Sequence, residues 1–142
     1  MLRVTADTNI YISALNFGGM PERFLRLAEA GGIQLVTSDA ILAEVARVLR
    51  GDKFAWPEEE IDKALRQLSR FTERVQPTHT LDIITVDPPD NRILECADAG
   101  RVDYIVSGDD HLLRLKQHGN APIVKVAAFL RQLQGQQASQ QR

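Results

Sequence analysis

Four acidic residues of the chain stand in four separate segments, at positions from which their carboxylates can converge. Asp7 directly follows an apolar, strand-like run, and Asp109 follows another such run, two residues after Ser107. Asp90 comes after two prolines at the start of a short amphipathic segment, and Glu44 lies within a longer one. Carboxylates that are crowded together repel one another unless a cation neutralises them. Since Mg²⁺ and Mn²⁺ prefer hard oxygen ligands, the acids predict a site for one or two such ions.

A site of this kind suits the cleavage of phosphodiesters. Mg²⁺ keeps several water molecules when a few carboxylates bind it, so positions remain open for a phosphate oxygen. Two ions about 4 Å apart can activate a water molecule and stabilise the leaving oxygen. Metal-assisted phosphoryl chemistry is therefore the best physical hypothesis for these acids.

Three of the acids also have a purely structural interpretation. Asp7 and Asp109 are both suited to cap the N-terminus of a following helix. Asp90 is suited to the same role in its proline-rich turn, and Asp87 could take that role instead. The sequence alone leaves both interpretations open.

The segments that carry the acids belong to an alternating pattern of strands and helices. Strands are predicted at residues 2–6, 33–37, 103–107 and 123–126, with a weaker extended segment at 81–86. Helices are predicted at residues 21–30, 39–50 with Ser38 as N-cap and Gly51 as the end of the helix, 57 onward with apolar positions to Phe71, 90–100, 110–117 and 126–133. The alternation predicts an α/β fold, a three-layer α/β/α sandwich around a mainly parallel sheet of about four or five strands. In such sheets ligands bind beyond the carboxyl ends of the strands, where Asp7 and Asp109 lie.

Composition sets the class of protein. The chain has 142 residues, a formal net charge of −2 and 44% hydrophobic residues, which fits one globular domain, predicted at residues 1–133, followed by a disordered polar tail at 134–142. The single cysteine, Cys96, excludes an internal disulfide framework and a cysteine-based zinc site. Because the chain begins directly with a strand-like segment and has no long apolar run, we expect a cytoplasmic protein. The charge balance excludes histone-like binding of nucleic acid by bulk electrostatics.

The order and spacing of four motifs resemble the PIN-domain family of metal-dependent ribonucleases. The resemblance extends over about residues 2–130 and is greatest to the bacterial branch described as toxins of type II toxin–antitoxin modules (VapC-like). The matching stretches are Ala6-Asp7-Thr8-Asn9-Ile10, residues 38–49 around Glu44, Asp87-Pro88-Pro89-Asp90-Asn91 and Tyr104-Ile105-Val106-Ser107-Gly108-Asp109, which continues into His111-Leu112-Leu113.

The resemblance implies a metal-dependent endoribonuclease that cuts RNA with metal-activated water. It implies that Asp7, Glu44, Asp90 and Asp109 are the catalytic residues and the ligands of Mg²⁺ or Mn²⁺. It also implies two kinds of protein partner, a cognate antitoxin and a second copy of the chain in a homodimer or a higher homo-oligomer.

Further residues near the four acids follow from the same resemblance. Asn9, in the Asp-x-Asn motif, is expected to orient its aspartate, and Ser38 or Thr37 is expected to form hydrogen bonds near the site. Asp110 either adds a ligand or caps its helix, and we favour the cap. His111 either contacts the scissile phosphate or has a structural role in its turn, and we favour the structural role.

RNA must approach an acidic site through basic residues. Arg47, Arg50 and Lys53 are the candidates for RNA contact that we prefer, because they are close in sequence to Glu44. The alternative interpretation of Glu44 is an ion pair with Arg47, three residues later on the same helix. A second basic stripe, formed by Lys63, Arg66, Arg70 and Arg74, is interpreted as a solvated helix face.

Two other classes of function compete with the nuclease. A non-catalytic module with the same fold would bind RNA or a protein, but binding alone does not require four acids. Other phosphoryl-transfer proteins on a similar sheet are disfavoured by the first strand end. A receiver domain would have an acidic pair there and a haloacid-dehalogenase phosphatase would have Asp-x-Asp, whereas this chain has Asp7-Thr8-Asn9.

Overall fold

The computed structural model describes residues 1–85 and 88–140. In this part of the chain six strands form one sheet. The strands are β1 Arg3–Ala6, β2 Gln34–Ser38, β3 Thr72–Val75, β4 Tyr104–Val106, β5 Gln117–His118 and β6 Ala121–Val124. The helices are α1 Thr8–Asn16, α2 Gly19–Glu29, α3 Asp39–Arg50, α4 Glu58–Phe71, α5 Asp90–Gly100, α6 Asp110–Leu115 and α7 Val126–Gln140.

The sheet is mainly parallel and has the strand order β3-β2-β1-β4-β6-β5. Strand β1 lies at its centre, between β2 and β4, so that Thr5 is opposite Val36 on one side and Ile105 on the other. Only the pairing of β5 with β6 is antiparallel among the described strands. The α/β class and the parallel sheet are thereby confirmed, although the sheet has more strands than we predicted. The carboxyl ends of β1 and β4 are neighbours, because Ala6 pairs with Val106.

The central strands are apolar because both of their faces are covered. Val4, Leu35, Val36, Ile105 and Val106 are completely buried. Helix α3 turns Ile41, Leu42, Val45, Ala46 and Leu49 towards this core. Its N-cap is Ser38 and its C-cap is Gly51, as predicted. None of the helices in residues 1–85 and 88–140 combines the length and apolar character needed to cross a membrane.

Three elements were not predicted from the sequence: α1, β3 and the two-residue strand β5. Helix α1 follows Asp7 directly, although its β-branched residues lower helix propensity. Burial of Ile10, Tyr11 and Ile12 against the core compensates for that low propensity. The short edge strand β3 follows α4 without a break, and the apolar pattern of α4 conceals it.

Three predicted elements differ in the structure. The described residues 81–85, predicted as extended, contain no strand, and Val86 lies outside the described residues. Helix α6 ends at Leu115 rather than at residue 117, where β5 begins. Helix α7 continues to Gln140, past the predicted end at residue 133. Its last part is rich in glutamine, which is a good helix former.

Candidate metal centre

Asp7 stands at the junction between β1 and α1, at the carboxyl edge of the sheet. It is the N-cap of α1: its Oδ1 accepts a hydrogen bond from the backbone N–H of Ile10 at 3.2 Å. The hydroxyl of Ser107 donates to the other oxygen, Oδ2. The Oγ of Ser107 also accepts the backbone N–H of Asp109 at 2.9 Å. Ser107 therefore connects the two strand ends that the sequence predicts to be neighbours.

The carboxyl group of Asp7 lies in an unfavourable place for a negative charge. Asp7 is only 4% exposed, and this burial raises its pKa. The hydrogen bonds from Ser107 and from the backbone of Ile10 and Gly108 oppose the rise, and the charge of Asp109 adds to it. An ionised Asp7 is consequently costly unless a cation is close to it.

Asp109 is fixed by the backbone in the same way. It is the N-cap of α6, and its Oδ1 accepts the N–H groups of His111 at 2.8 Å and Leu112 at 3.2 Å. These hydrogen bonds hold the carboxylate of Asp109 in place at the start of α6. The cap role that we preferred for Asp110 therefore belongs to Asp109, whereas Asp110 is exposed in the first turn of the helix.

Asp90, Asp109 and His111 form a group that is able to hold a cation. Each offers one ligand atom, and these atoms lie within 4.8 Å of one another. Two ligands on opposite sides of an ion bound at about 2.1 Å are about 4.2 Å apart, so the spacing is suitable for one ion. The Nδ1 atom of His111 is buried and has no hydrogen-bond partner among the described residues. Two carboxylates and an imidazole nitrogen thus fit a divalent cation.

Glu44 does not belong to this group in the structure. Its carboxylate forms two hydrogen bonds with the guanidinium of Arg47, from Nε to Oε2 at 2.9 Å and from Nη2 to Oε1 at 2.6 Å. These bonds with Arg47 lower the pKa of Glu44. The structure therefore contains the ion pair that was the alternative interpretation of Glu44.

The supporting residues implied by the resemblance are placed differently from the prediction. The side chain of Asn9 is exposed, and the hydrogen bonds described for Asp7 come from other residues. Ser38 is buried and caps α3 by accepting the N–H of Ile41 at 3.3 Å. It also lies close to the buried Cys96, whose pKa is raised to about 11 by burial. Cys96 is thus a free thiol buried in the core.

The loop before Asp90 is held by residues for which the sequence predicts no such role. The buried Asn91 accepts the N–H groups of Ile83 at 2.9 Å and Ile84 at 2.8 Å, and donates to the carbonyls of Ile84 and Pro88. The only signal for this role is an amide in the first turn of a helix after a proline turn. Asp87, the other candidate in that turn, lies outside the described residues.

Glu95 is a second anchor of that loop. A charged side chain on an amphipathic helix is expected on the solvated face, but Glu95 is only 8% exposed. It accepts the N–H of Leu81 at 2.8 Å and forms an ion pair with Arg92 at 2.8 Å. An ion pair between residues three or four apart on one helix can be predicted from the sequence. The burial of Glu95 by the loop at Leu81 cannot, because it depends on the tertiary fold.

The candidates for RNA contact are engaged with neighbouring side chains. Arg47 pairs with Glu44, and Arg50 pairs with Glu58 at the start of α4. The Nζ atom of Lys53 lies 5.3 Å from the centre of the Phe54 ring. In the second stripe, Arg74 lies on β3 rather than on α4 and pairs with Asp39 at 3.2 Å.

The PIN-domain family matches residues 3–111, and the chain belongs to this family. Two solved structures share its fold. VapBC2 from Rickettsia felis, bound to a DNA fragment from its promoter, has 18% identity and a TM-score of 0.60, over 86% of this chain and 97% of that one. The PIN domain of T. brucei RRP44 has 12% identity and a TM-score of 0.57, over 97% of this chain and 84% of that one. No curated protein matches the chain.

Proposed function

We propose that this protein is a metal-dependent endoribonuclease. The observation that carries the proposal is the group of Asp90, Asp109 and His111 within 4.8 Å, beside the buried Asp7 at the carboxyl edge of the sheet. Membership of the PIN-domain family supports it, because members of the family are typically nucleases.

In this proposal the acids hold Mg²⁺ or Mn²⁺, one or two ions per site. Asp90 and Asp109 are the primary ligands, and Asp7 supplies negative charge next to them. Such an ion would activate water and neutralise charge on the phosphodiester. The hydroxyl of Ser107 keeps the carboxylate of Asp7 in place and links it to the start of α6. Sequence resemblance adds Glu44, Asn9 and Ser38 to the proposed site, whereas Asp110 stays outside it as an exposed acid in the first turn of α6.

Glu44 and the basic residues around it act together in the proposed complex with RNA. Glu44 joins the metal site only when its carboxylate leaves Arg47. An exchange of this kind costs little, since ion pairs at the surface contribute little to stability. The phosphates of the RNA strand then bind Arg47, Arg50 and Lys53. They replace Glu44 as the partner of Arg47 and Glu58 as the partner of Arg50.

We propose further that the nuclease is the toxin of a type II toxin–antitoxin module in the cytoplasm. The similarity of the fold to VapBC2 supports this context. The partners that we propose are a cognate antitoxin and a second copy of the chain, in a homodimer or a higher homo-oligomer. The second candidate is a non-catalytic PIN-fold module that binds RNA or protein. The ion pair between Glu44 and Arg47 favours it, because that pair keeps one of the four acids outside the metal group.

Cleavage of a defined set of RNAs by the wild type and by Asp7→Asn tests the proposal. We expect the wild type to cut with Mg²⁺ or Mn²⁺ and to stop cutting when a chelator removes the ion. Asp7→Asn should not cut, although asparagine can still cap α1, so that the fold is preserved. Asp62→Asn, in an exposed acid of α4, is the matched control and should cut like the wild type.

Thermal unfolding separates the two candidate functions. An ion that relieves the repulsion between the carboxylates should raise the melting temperature of the wild type. An unchanged melting temperature in millimolar Mg²⁺ and Mn²⁺, together with RNA binding but no cleavage, would favour the binding module. Equal cleavage rates in the wild type and Asp7→Asn would contradict the proposed nuclease site.

A further inference from the structure

The three histidines of the chain have different surroundings in the structure. His79 is exposed in the loop after β3. The Nε2 atom of His118 lies 2.9 Å from Oδ1 of Asp98, so this ring has a hydrogen-bond partner. His111 alone stands beside the acidic group, with its Nδ1 buried.

The position of the His111 ring is set by the cap of α6. Asp109 accepts the backbone N–H of His111, which holds this residue in the first turn of the helix. The Nδ1 atom then lies 3.6 Å from Oδ1 of Asp109. This separation is too long for a hydrogen bond, and no other described residue provides one. A structural role in the turn would normally require a hydrogen bond at this buried nitrogen.

The same separation is suitable for two ligands of one ion. Two atoms that each lie about 2.1 Å from an ion, at an angle between 90° and 120°, are about 3.0 to 3.6 Å apart. The atom of Asp90 in the group lies within 4.8 Å of both others, so one cation can reach all three residues. A buried nitrogen that has no hydrogen-bond partner and lies 3.6 Å from the carboxylate of Asp109, on a residue grouped with Asp90, has the arrangement expected of a ligand.

We propose that His111 binds the ion of this site through Nδ1, together with Asp90 and Asp109, and that the site therefore prefers Mn²⁺ to Mg²⁺. The inference rests on the proposed metal-dependent function. Imidazole nitrogen is a good ligand for transition metals, whereas Mg²⁺ is bound almost entirely by oxygen. A site made only of carboxylates would lack this source of selectivity. His111 is thus the residue that would distinguish this site from an all-carboxylate one.

Electron paramagnetic resonance of Mn²⁺ bound to the full chain tests this role without measuring cleavage. Electron spin-echo modulation detects a nitrogen atom coordinated to Mn²⁺, and we expect this signal in the wild type. It should be absent in His111→Gln, because glutamine offers an oxygen ligand in its place. His79→Gln and His118→Gln are the matched controls and should keep the nitrogen signal.

Metal affinities give the second measurement. In His111→Gln the Kd for Mn²⁺ should rise at least about tenfold, as expected when a group that supports a metal is lost. The Kd for Mg²⁺ should change less than about twofold, since Mg²⁺ accepts an oxygen ligand equally well. Far-ultraviolet circular dichroism should be unchanged, because the cap of α6 uses the backbone N–H of His111 rather than its ring.

The outcomes distinguish this inference from the proposed function. A wild type that binds Mn²⁺ without a nitrogen signal, or a His111→Gln variant that keeps the signal and the affinity, would overturn the role of His111. Either result would leave a carboxylate metal site and the nuclease proposal intact. A wild type that binds neither Mn²⁺ nor Mg²⁺ would overturn both.

Discussion

The acids of this protein are held in two different ways. Asp7 and Asp109 stand where a strand passes into a helix, and backbone N–H groups bind one oxygen of each carboxylate. Glu44 stands in the middle of α3, where the exposed side chain of Arg47 binds it and no other hydrogen bond or ion pair is found among the described residues. The backbone fixes the two acids at strand-to-helix junctions, Asp7 and Asp109, before any ion is present. The partners of a surface ion pair exchange readily for others. The two kinds of position should therefore differ in how strongly they support the metal.

The largest effect is expected when a junction acid loses its charge. Asp109→Asn removes a proposed ligand, so cleavage should fall by about a hundredfold or more, the upper range for groups that support a metal. Asparagine is as good an N-cap as aspartate, so α6 should persist and the unfolding transition should remain cooperative. Cleavage rates at saturating Mn²⁺ and a thermal unfolding curve measure the two quantities.

Asp110→Asn is the matched control for this variant, because it makes the same change one residue later in an exposed side chain. If Asp110 is only a first-turn acid, its loss should leave cleavage within about twofold of the wild type, through a small helix-dipole effect. Equal losses in the two variants would show that the distinction between cap and first-turn residue has no bearing on function.

A smaller effect is expected from the acid in the middle of the helix. Glu44→Gln should reduce cleavage by about tenfold, the lower range for groups around a metal. Arg47→Gln provides the opposite change, because it releases Glu44 and should tighten Mn²⁺ binding by about two- to fivefold. Isothermal titration with Mn²⁺ measures this affinity. Unchanged Mn²⁺ affinity in both variants would place Glu44 outside the metal site.

The same contrast explains how much the sequence could predict. Acids at strand-to-helix junctions are visible because a strand ends, a cap residue follows and a helix begins within a few residues. This pattern located Asp7 and Asp109, and parallel pairing brings them to one edge. Long-range polar contacts leave no such pattern. The hydrogen bond between Ser107 and Asp7, and the burial of Glu95 by the loop at Leu81, depend on the tertiary fold.

The elements show the same division. Helix α3 was predicted with both of its caps, because its apolar period and its cap residues agree. Helix α1 was missed because burial in the core stabilises a segment of low helix propensity. Strand β3 was missed because it consists of only four residues on an edge of the sheet. In both cases tertiary packing outweighed the local signal.

The burial of Asp7 should also make the stability of the metal-free protein depend on pH. Burial raises the pKa of Asp7 in the folded state above its unfolded value of about 3.9. As the pH rises through the interval between these two pKa values, the unfolded state ionises first, so stability falls. Asp7→Asn removes this loss. Its melting temperature should therefore exceed that of the wild type by a few degrees at neutral pH, and the excess should shrink as the pH falls through this interval and vanish below the unfolded value.

Thermal unfolding of both proteins in a chelator, over a series of pH values, measures this difference. Addition of Mn²⁺ should reduce or reverse it, because the ion stabilises the ionised carboxylate only in the wild type. A difference in melting temperature that did not depend on pH would mean that the charge of Asp7 is not its cause.

The smallest effect concerns the proposed contacts with RNA. These basic residues lie near Glu44, where surface ion pairs can exchange partners. Lys53 is exposed and contacts only the ring of Phe54 among the interactions described for it. If it binds one phosphate of a single strand, Lys53→Ala should lower the slope of log K against log salt by about 0.7. Fluorescence anisotropy with a labelled RNA, in an Asp7→Asn background that does not cut, measures this slope. Arg23→Ala removes one exposed positive charge from α2 and should leave the slope unchanged. An equal decrease in both variants would indicate a general effect of net charge rather than a contact made by Lys53.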